Sequence, residues 1–155
     1  MTDHTEAIGR ELVALIRGTK DLHHVIATVD GEQVLDAPAF AVLSRLQERG
    51  PLRLSSLAGC LYLDLSTVSR QVQELEHAGW VVRERDPQDG RASLLRLTPD
   101  GERVLESGRN QRGAALRRLL NGWTDDERQR LADELARFNQ AIEHFRADFR
   151  QENAS

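Results

Sequence analysis

Ser66, Thr67, Ser69, Arg70 and Gln73 bring hydroxyls, a guanidinium and an amide into one short stretch of the chain, and Val68, Val72 and Leu75 run through it at i, i+4 and i+7. On a helix the three apolar residues form a single buried stripe. At about 100° per residue, Ser66, Arg70 and Gln73 lie roughly opposite that stripe, with Thr67 to one side. An outer face of this kind suits the reading of base edges in a major groove. Arg70 matches guanine O6 and N7 in a bidentate contact, and Thr67 and Gln73 match base edges or a thymine methyl. Ser66 and Ser69 are placed for phosphate. Arg91 follows a turn rich in Asp, Pro and Gly, a placement suited to a narrow A·T-rich minor groove, and Asp89 can hold the turn or orient the guanidinium. Taken singly, each of these residues is ordinary solvated surface.

The elements that must position them follow from pattern and punctuation. Residues 5–29 carry Ile8, Leu12, Leu15, Leu22, Ile26 and Val29, a heptad seam with Thr19 in the missing place. Asp30-Gly31 breaks this helix, and a connector runs to Leu35. A second helix is expected from Ala37 to Arg49, with Pro38 in its first turn, Gly50-Pro51 as its stop, and Phe40, Leu43 and Leu46 inward. Leu52-Arg53-Leu54 is long enough for one strand-like pairing. Ser55 then caps a third helix with Leu57, Ala58 and Leu61 inward, and its first-turn N–H groups face phosphate. A turn through Tyr62–Leu65 leads into a helix from about Ser66 to Ala78, which completes a helix-turn-helix pattern.

Gly79 ends that helix. Trp80–Arg85 and Ser93–Leu97 read as two strands around the Asp86–Gly90 turn, a candidate wing. Thr98-Pro99 starts a long helix to about Asn121 containing Val104, Leu105, Leu116, Leu119 and Leu120, with Gly108–Gly113 as a place for a bend. Thr124-Asp125-Asp126-Glu127 is a capping box. Beyond it Leu131, Leu135, Phe138, Ile142, Phe145 and Phe149 keep steps of 4, 3, 4, 3 and 4, the cleanest helical seam in the chain, and Gln151–Ser155 is expected to fray. Seams at both ends, around a compact centre, imply association of two copies through Ile8, Leu12, Leu15, Leu131, Leu135, Phe138, Ile142 and Phe145. The expected fold is mainly α with a small β-hairpin wing: a winged helix-turn-helix at 36–97, flanked by dimerisation helices at 1–35 and 98–155.

A length of 155 residues, 39% hydrophobic and 30% charged, describes an ordinary globular chain. No apolar run approaches a membrane span. The acidic, amphipathic start lacks the form of a signal peptide, and one cysteine, Cys60, fits a reducing compartment, so a cytoplasmic location is expected. Cys60 reads as a small core residue rather than a redox sensor. His4, His23, His24, His77 and His144 match no compact ligand spacing, so no metal and no cofactor are assigned. No nucleophile–base pair, phosphate loop or close carboxylate set is present, which argues against an enzyme. The net charge of -4 runs against nucleic acid, and Asp64–Asp100 holds five Arg against seven acids. Arg45, Arg49 and Arg53 are nearby sources of positive field.

Three fragments lie in register: Leu75-Glu76-His77-Ala78-Gly79, Asp86-Pro87-Gln88-Asp89-Gly90-Arg91 and Leu97-Thr98-Pro99-Asp100-Gly101. In order and spacing they resemble the MarR family of winged helix-turn-helix transcriptional regulators, and the likeness extends over nearly the whole chain. The resemblance implies a homodimer joined by its terminal helices that binds a pseudo-palindromic operator. It also implies a repressor whose affinity for double-stranded DNA is modulated by a small aromatic or phenolic effector, with a pocket expected around Ile16–His24. Many family wings carry two adjacent basic residues at the tip. Here Gly90 takes the first place and leaves Arg91 alone. The alternative is a winged-helix protein-interaction module that does not bind DNA.

Overall fold

The structure, a computed structural model, describes the backbone at residues 4–28 and 35–153 and the side chains at 4–18 and 35–149. Side chains of Leu22, Ile26, His23 and His24, together with Val29, the Asp30-Gly31 break, the connector up to residue 34 and residues 154–155, lie outside these limits, while residues 151–153, expected to fray, continue the last helix. The chain forms two compact units, within residues 1–114 and 115–155.

The first unit begins with helix α1 (His4–Thr28), whose Ile8, Val13, Leu15 and Ile16 are all exposed. Helix α2 (Ala37–Arg49) is capped by Asp36, whose side chain accepts the Ala39 N–H at 2.8 Å, and it carries a proline in its first turn as the sequence predicts. Val42, Leu43 and Leu46 are its buried face. Helix α3 (Leu54–Leu61) buries Leu57 and Ala58. It begins one residue before the expected cap: Arg53 is the extended N-cap residue, its carbonyl accepts the Leu57 N–H at 2.9 Å, and Ser55 sits inside the first turn rather than capping it. Cys60 is half-buried in α3, not part of the core.

Helix α4 (Leu65–His77) buries Val68, Val72 and Leu75, the predicted stripe. Gly79 follows with φ 75°, a left-handed conformation that suits glycine and lets the chain turn directly into strand β1 (Val81–Arg85). β1 pairs antiparallel with β2 (Ser93–Leu97), Val81 opposite Leu97 and Arg85 opposite Ser93. Leu52 adds the expected single bridge to Leu95. The core of this unit gathers Leu43, Leu46 and Leu57 with the α4 stripe, Val81, Leu95, Leu97 and Leu105. Helix α5 (Pro99–Leu119) runs through the glycine-containing stretch without interruption.

Thr98 joins three elements. Its hydroxyl donates to the Gly79 carbonyl at 2.7 Å and accepts the Gly101 N–H at 3.0 Å, while its own N–H donates to the Trp80 carbonyl. The second unit holds the end of α5 and helix α6 (Asp125–Asn153), which starts on a reciprocal capping box. There the Glu127 carboxylate accepts the Thr124 N–H at 2.7 Å, and the Thr124 hydroxyl accepts the Glu127 N–H at 3.3 Å.

Gly101 is the tightest close approach. A Cβ there would stand 2.2 Å from the Trp80 carbonyl oxygen and 2.9 Å from a Leu97 methyl. Gly101→Ala must therefore push α5 away from the end of the wing strands. We expect a loss of at least about 3 kcal/mol and a fall in Tm of roughly 10 °C. Thermal unfolding followed by circular dichroism checks this, and an unchanged Tm contradicts it.

Candidate nucleic-acid interface

Burial of Val68, Val72 and Leu75 sets the rotation of α4, and Ser66, Arg70 and Gln73 are exposed as a consequence. Thr67 and Ser69 are half-buried at the margins of that face. Ser55 is exposed on the first turn of α3, whose N-cap residue makes no side-chain capping hydrogen bond. Arg91 is exposed at the end of the wing turn, and its N–H donates to Asp89 Oδ1 at 3.1 Å. The structure thus brings Ser66, Thr67, Ser69, Arg70 and Gln73 onto one helix. Ser55 and Arg91 enter from two neighbouring elements.

The organiser of the α4 N-terminus is Asp64, which sequence reading passed over. It is the N-cap, and one of its carboxylate oxygens accepts the Thr67 N–H at 2.8 Å. The hydroxyls of both Ser66 and Thr67 also donate to this carboxylate, Thr67 at 2.6 Å. These bonds, Ser66 first and Thr67 next, hold the Asp64 carboxyl well below the usual carboxylate range. The signal was available in the sequence, since Asp is a favoured N-cap residue and stands just before the apolar-periodic stretch.

Electrostatics resolve the excess of acids. Glu76 pairs with Arg83 at 2.8 Å, Glu84 with Arg96 at 2.8 Å, Asp86 with Arg53 at 2.6 Å, and Asp100 with Arg103. Among the described residues, Arg70, Arg85 and Arg91 make no ion pair. Arg85, exposed at the end of β1, was also missed by sequence reading. Two of the arginines counted as field sources are neutralised, Arg45 by Glu48 at 3.1 Å and Arg53 by Asp86. Between Arg45 and Arg96, the arginines left without an ion pair among the described residues are Arg49 at the end of α2, Arg70 on α4, and Arg85 and Arg91 along the wing.

Of the seam residues, Ile8, Leu15, Leu135, Phe138 and Phe145 are exposed, and Leu12, Leu131 and Ile142 are half-buried. Phe145 is 72% exposed and stacks on Phe149 with ring centroids 6.5 Å apart. Of the expected effector region, only residues 16–18 have described side chains, and Ile16 is exposed.

Two helices at a tight turn, an outward polar face on the second, and a hairpin returning into the core define a winged helix-turn-helix. The sequence pattern of the MarR family matches residues 35–93. Over 108 residues the chain is 35% identical to the HTH-type transcriptional regulator YxaD of Bacillus subtilis (strain 168), covering 70% of this chain and 76% of that one. A MarR family protein from Bacillus stearothermophilus superposes with a TM-score of 0.74 at 28% identity, over 92% of this chain and 98% of the other. The PcaV transcriptional regulator of Streptomyces coelicolor, solved with its natural ligand, does so with a TM-score of 0.65 at 30% identity, over 83% and 91%. The chain belongs to the MarR family of transcriptional regulators. It is a regulator, not an enzyme.

The lowered carboxyl of Asp64 carries a pH signature. A depressed folded value stabilises fully above the ordinary Asp value of about 3.9, and this contribution is lost as pH falls through the depressed value. Asp64→Asn should therefore lower Tm at neutral pH, and the gap to wild type should close only in strongly acid solution. Unfolding scans across pH test this, and a gap that does not vary with pH contradicts it.

Proposed function

We propose that this regulator is a homodimeric, sequence-specific DNA-binding repressor of a two-fold-symmetric operator. Support comes chiefly from one observation: the acids around the helix-turn-helix and wing are mostly held in ion pairs, while Arg70, Arg85 and Arg91 are not. In this reading α4 enters the major groove and Arg70 takes guanine O6 and N7, with Gln73 beside it. Ser66 and Thr67 donate their hydroxyl protons to Asp64, so they offer lone pairs outward. Lone pairs suit the amino groups of adenine or cytosine better than they suit phosphate, which turns Ser66 from a phosphate contact into a base-edge acceptor. Ser69, Arg85 and the uncapped first turn of α3 at Ser55 take the backbone. Arg91 enters the minor groove.

The seams of α1 and α6 supply the dimer. Leu135, Phe138 and Phe145 on α6 are exposed, as are Ile8 and Leu15 on α1, and each helix thus offers apolar surface for a second copy to bury, while 36–97 reads DNA. PcaV was solved with its natural ligand, and we extend ligand control to this chain. A series of small aromatic acids scored for lowering operator affinity tests that extension, and a series without effect contradicts it.

Affinity selection of random duplex DNA at low salt, followed by salt titration of the selected site, tests the main reading. The expected result is a symmetric consensus with half-sites about one helical turn apart and a steep salt slope. Arg70→Ala should then cost roughly 1–3 kcal/mol of discrimination at one base pair of each half-site, and Arg91→Ala should weaken binding most at A·T-rich flanks. No enriched sequence from ligand-stripped protein contradicts it.

A further inference from the structure

Arg53 has a more specific task than adding to the positive field. It lies between Leu52, which exchanges backbone hydrogen bonds of 3.1 and 2.8 Å with Leu95 on β2, and Leu54, the first residue of α3. Its guanidinium donates to Asp86 Oδ2 from Nε at 2.9 Å and from Nη2 at 2.6 Å. Nη2 is also 3.6 Å from Asp89 Oδ2. Asp86 is only 8% exposed, a buried carboxylate at the root of the wing turn. Its other oxygen accepts the Gln88 N–H at 2.9 Å, and Asp89 in turn accepts the N–H of Arg91. One guanidinium thus holds both carboxylates whose remaining bonds shape the turn, and the chain of contacts ends on the backbone of the wing-tip arginine.

A carboxylate buried this far requires its cation, so Arg53 cannot swing out to a phosphate without leaving Asp86 uncompensated. The Gln88 N–H first, and Arg53 second, hold the Asp86 carboxyl below its ordinary range, in keeping with a permanently ionised partner. We propose that Arg53 is the positioning residue of the wing: it clamps the wing turn to the start of α3, so that Arg91 and the α4 face meet one duplex at a set separation. This rests on the DNA-binding reading above. It differs from a phosphate contact in what a second substitution does.

The test compares wild type, Arg53→Ala, Arg91→Ala and the double variant on the selected operator, with amide hydrogen exchange on each free protein. Arg53→Ala should weaken binding by about tenfold or more, and the double variant should bind within about twofold of Arg91→Ala, because both substitutions remove the same wing contact. Arg53→Lys keeps a cation for Asp86 without the fork, so it should recover part of the loss. In free Arg53→Ala, the Gln88 and Arg91 amides should exchange faster while α4 core amides stay protected. Where Arg53→Ala does not fold, Arg53→Lys carries both comparisons. Losses that multiply in the double variant, or unchanged exchange in the wing turn, overturn the proposal. A wild-type protein without sequence preference overturns the DNA-binding reading instead. The exchange comparison needs no DNA, and it then decides by itself whether Arg53 holds the wing.

Discussion

Burial of Val68, Val72 and Leu75 is the constraint on which the rest depends. All three are almost fully excluded from solvent, in one cluster with Leu43, Leu57, Val81 and Leu95. A helix held by three such residues over two turns cannot rotate without exposing at least one of them, at roughly 1.5–3 kcal/mol per side chain. Its opposite face is thereby fixed toward solvent, whatever residues it carries. The outward residues can be exchanged without disturbing this frame, since the apolar stripe and the polar face share a helix but no side chains. The same burial fixes the wing, because Val81, Leu95 and Leu97 contribute to that core from the two strands.

Charge works on a finer scale than totals suggest. A chain of net charge -4 is a poor match for a polyanion when treated as a sphere. At the level of side chains, the acids Glu76, Glu84 and Asp86 each occupy an arginine, and Asp64 is turned to capping duty by Ser66, Thr67 and the helix N-terminus. What faces outward is set by the arginines left over. Such a surface offers few, well-placed cations, so in the proposed DNA-binding reading sequence discrimination depends on geometry more than on bulk attraction.

Periodicity and caps were legible in the sequence. Ala37–Arg49 and Ser93–Leu97 appear with the expected bounds, the α4 stripe is the expected one, and the Thr124/Glu127 capping box forms as its pattern requires. These features depend on neighbours within four residues. Ser55 was misplaced because Arg53, with no capping side chain, takes the extended conformation that a Ser would have been chosen for. Contacts between distant residues were not legible. Arg53 and Asp86 are 33 residues apart and meet only because Leu52 pairs with Leu95. Gly101 was visible as part of a motif, and its physical reason, the Trp80 carbonyl against which α5 starts, needed the fold.

The most direct test of the account is methylation interference on a bound duplex, which reports where guanine N7 must be free in the major groove. Two helices reading one operator from a symmetric dimer predict two short blocks of interference on one face, about one helical turn apart, each removed by Arg70→Ala. A single block, or interference spread evenly along the duplex, would contradict the claim that the α4 face reads sequence as part of a two-fold assembly.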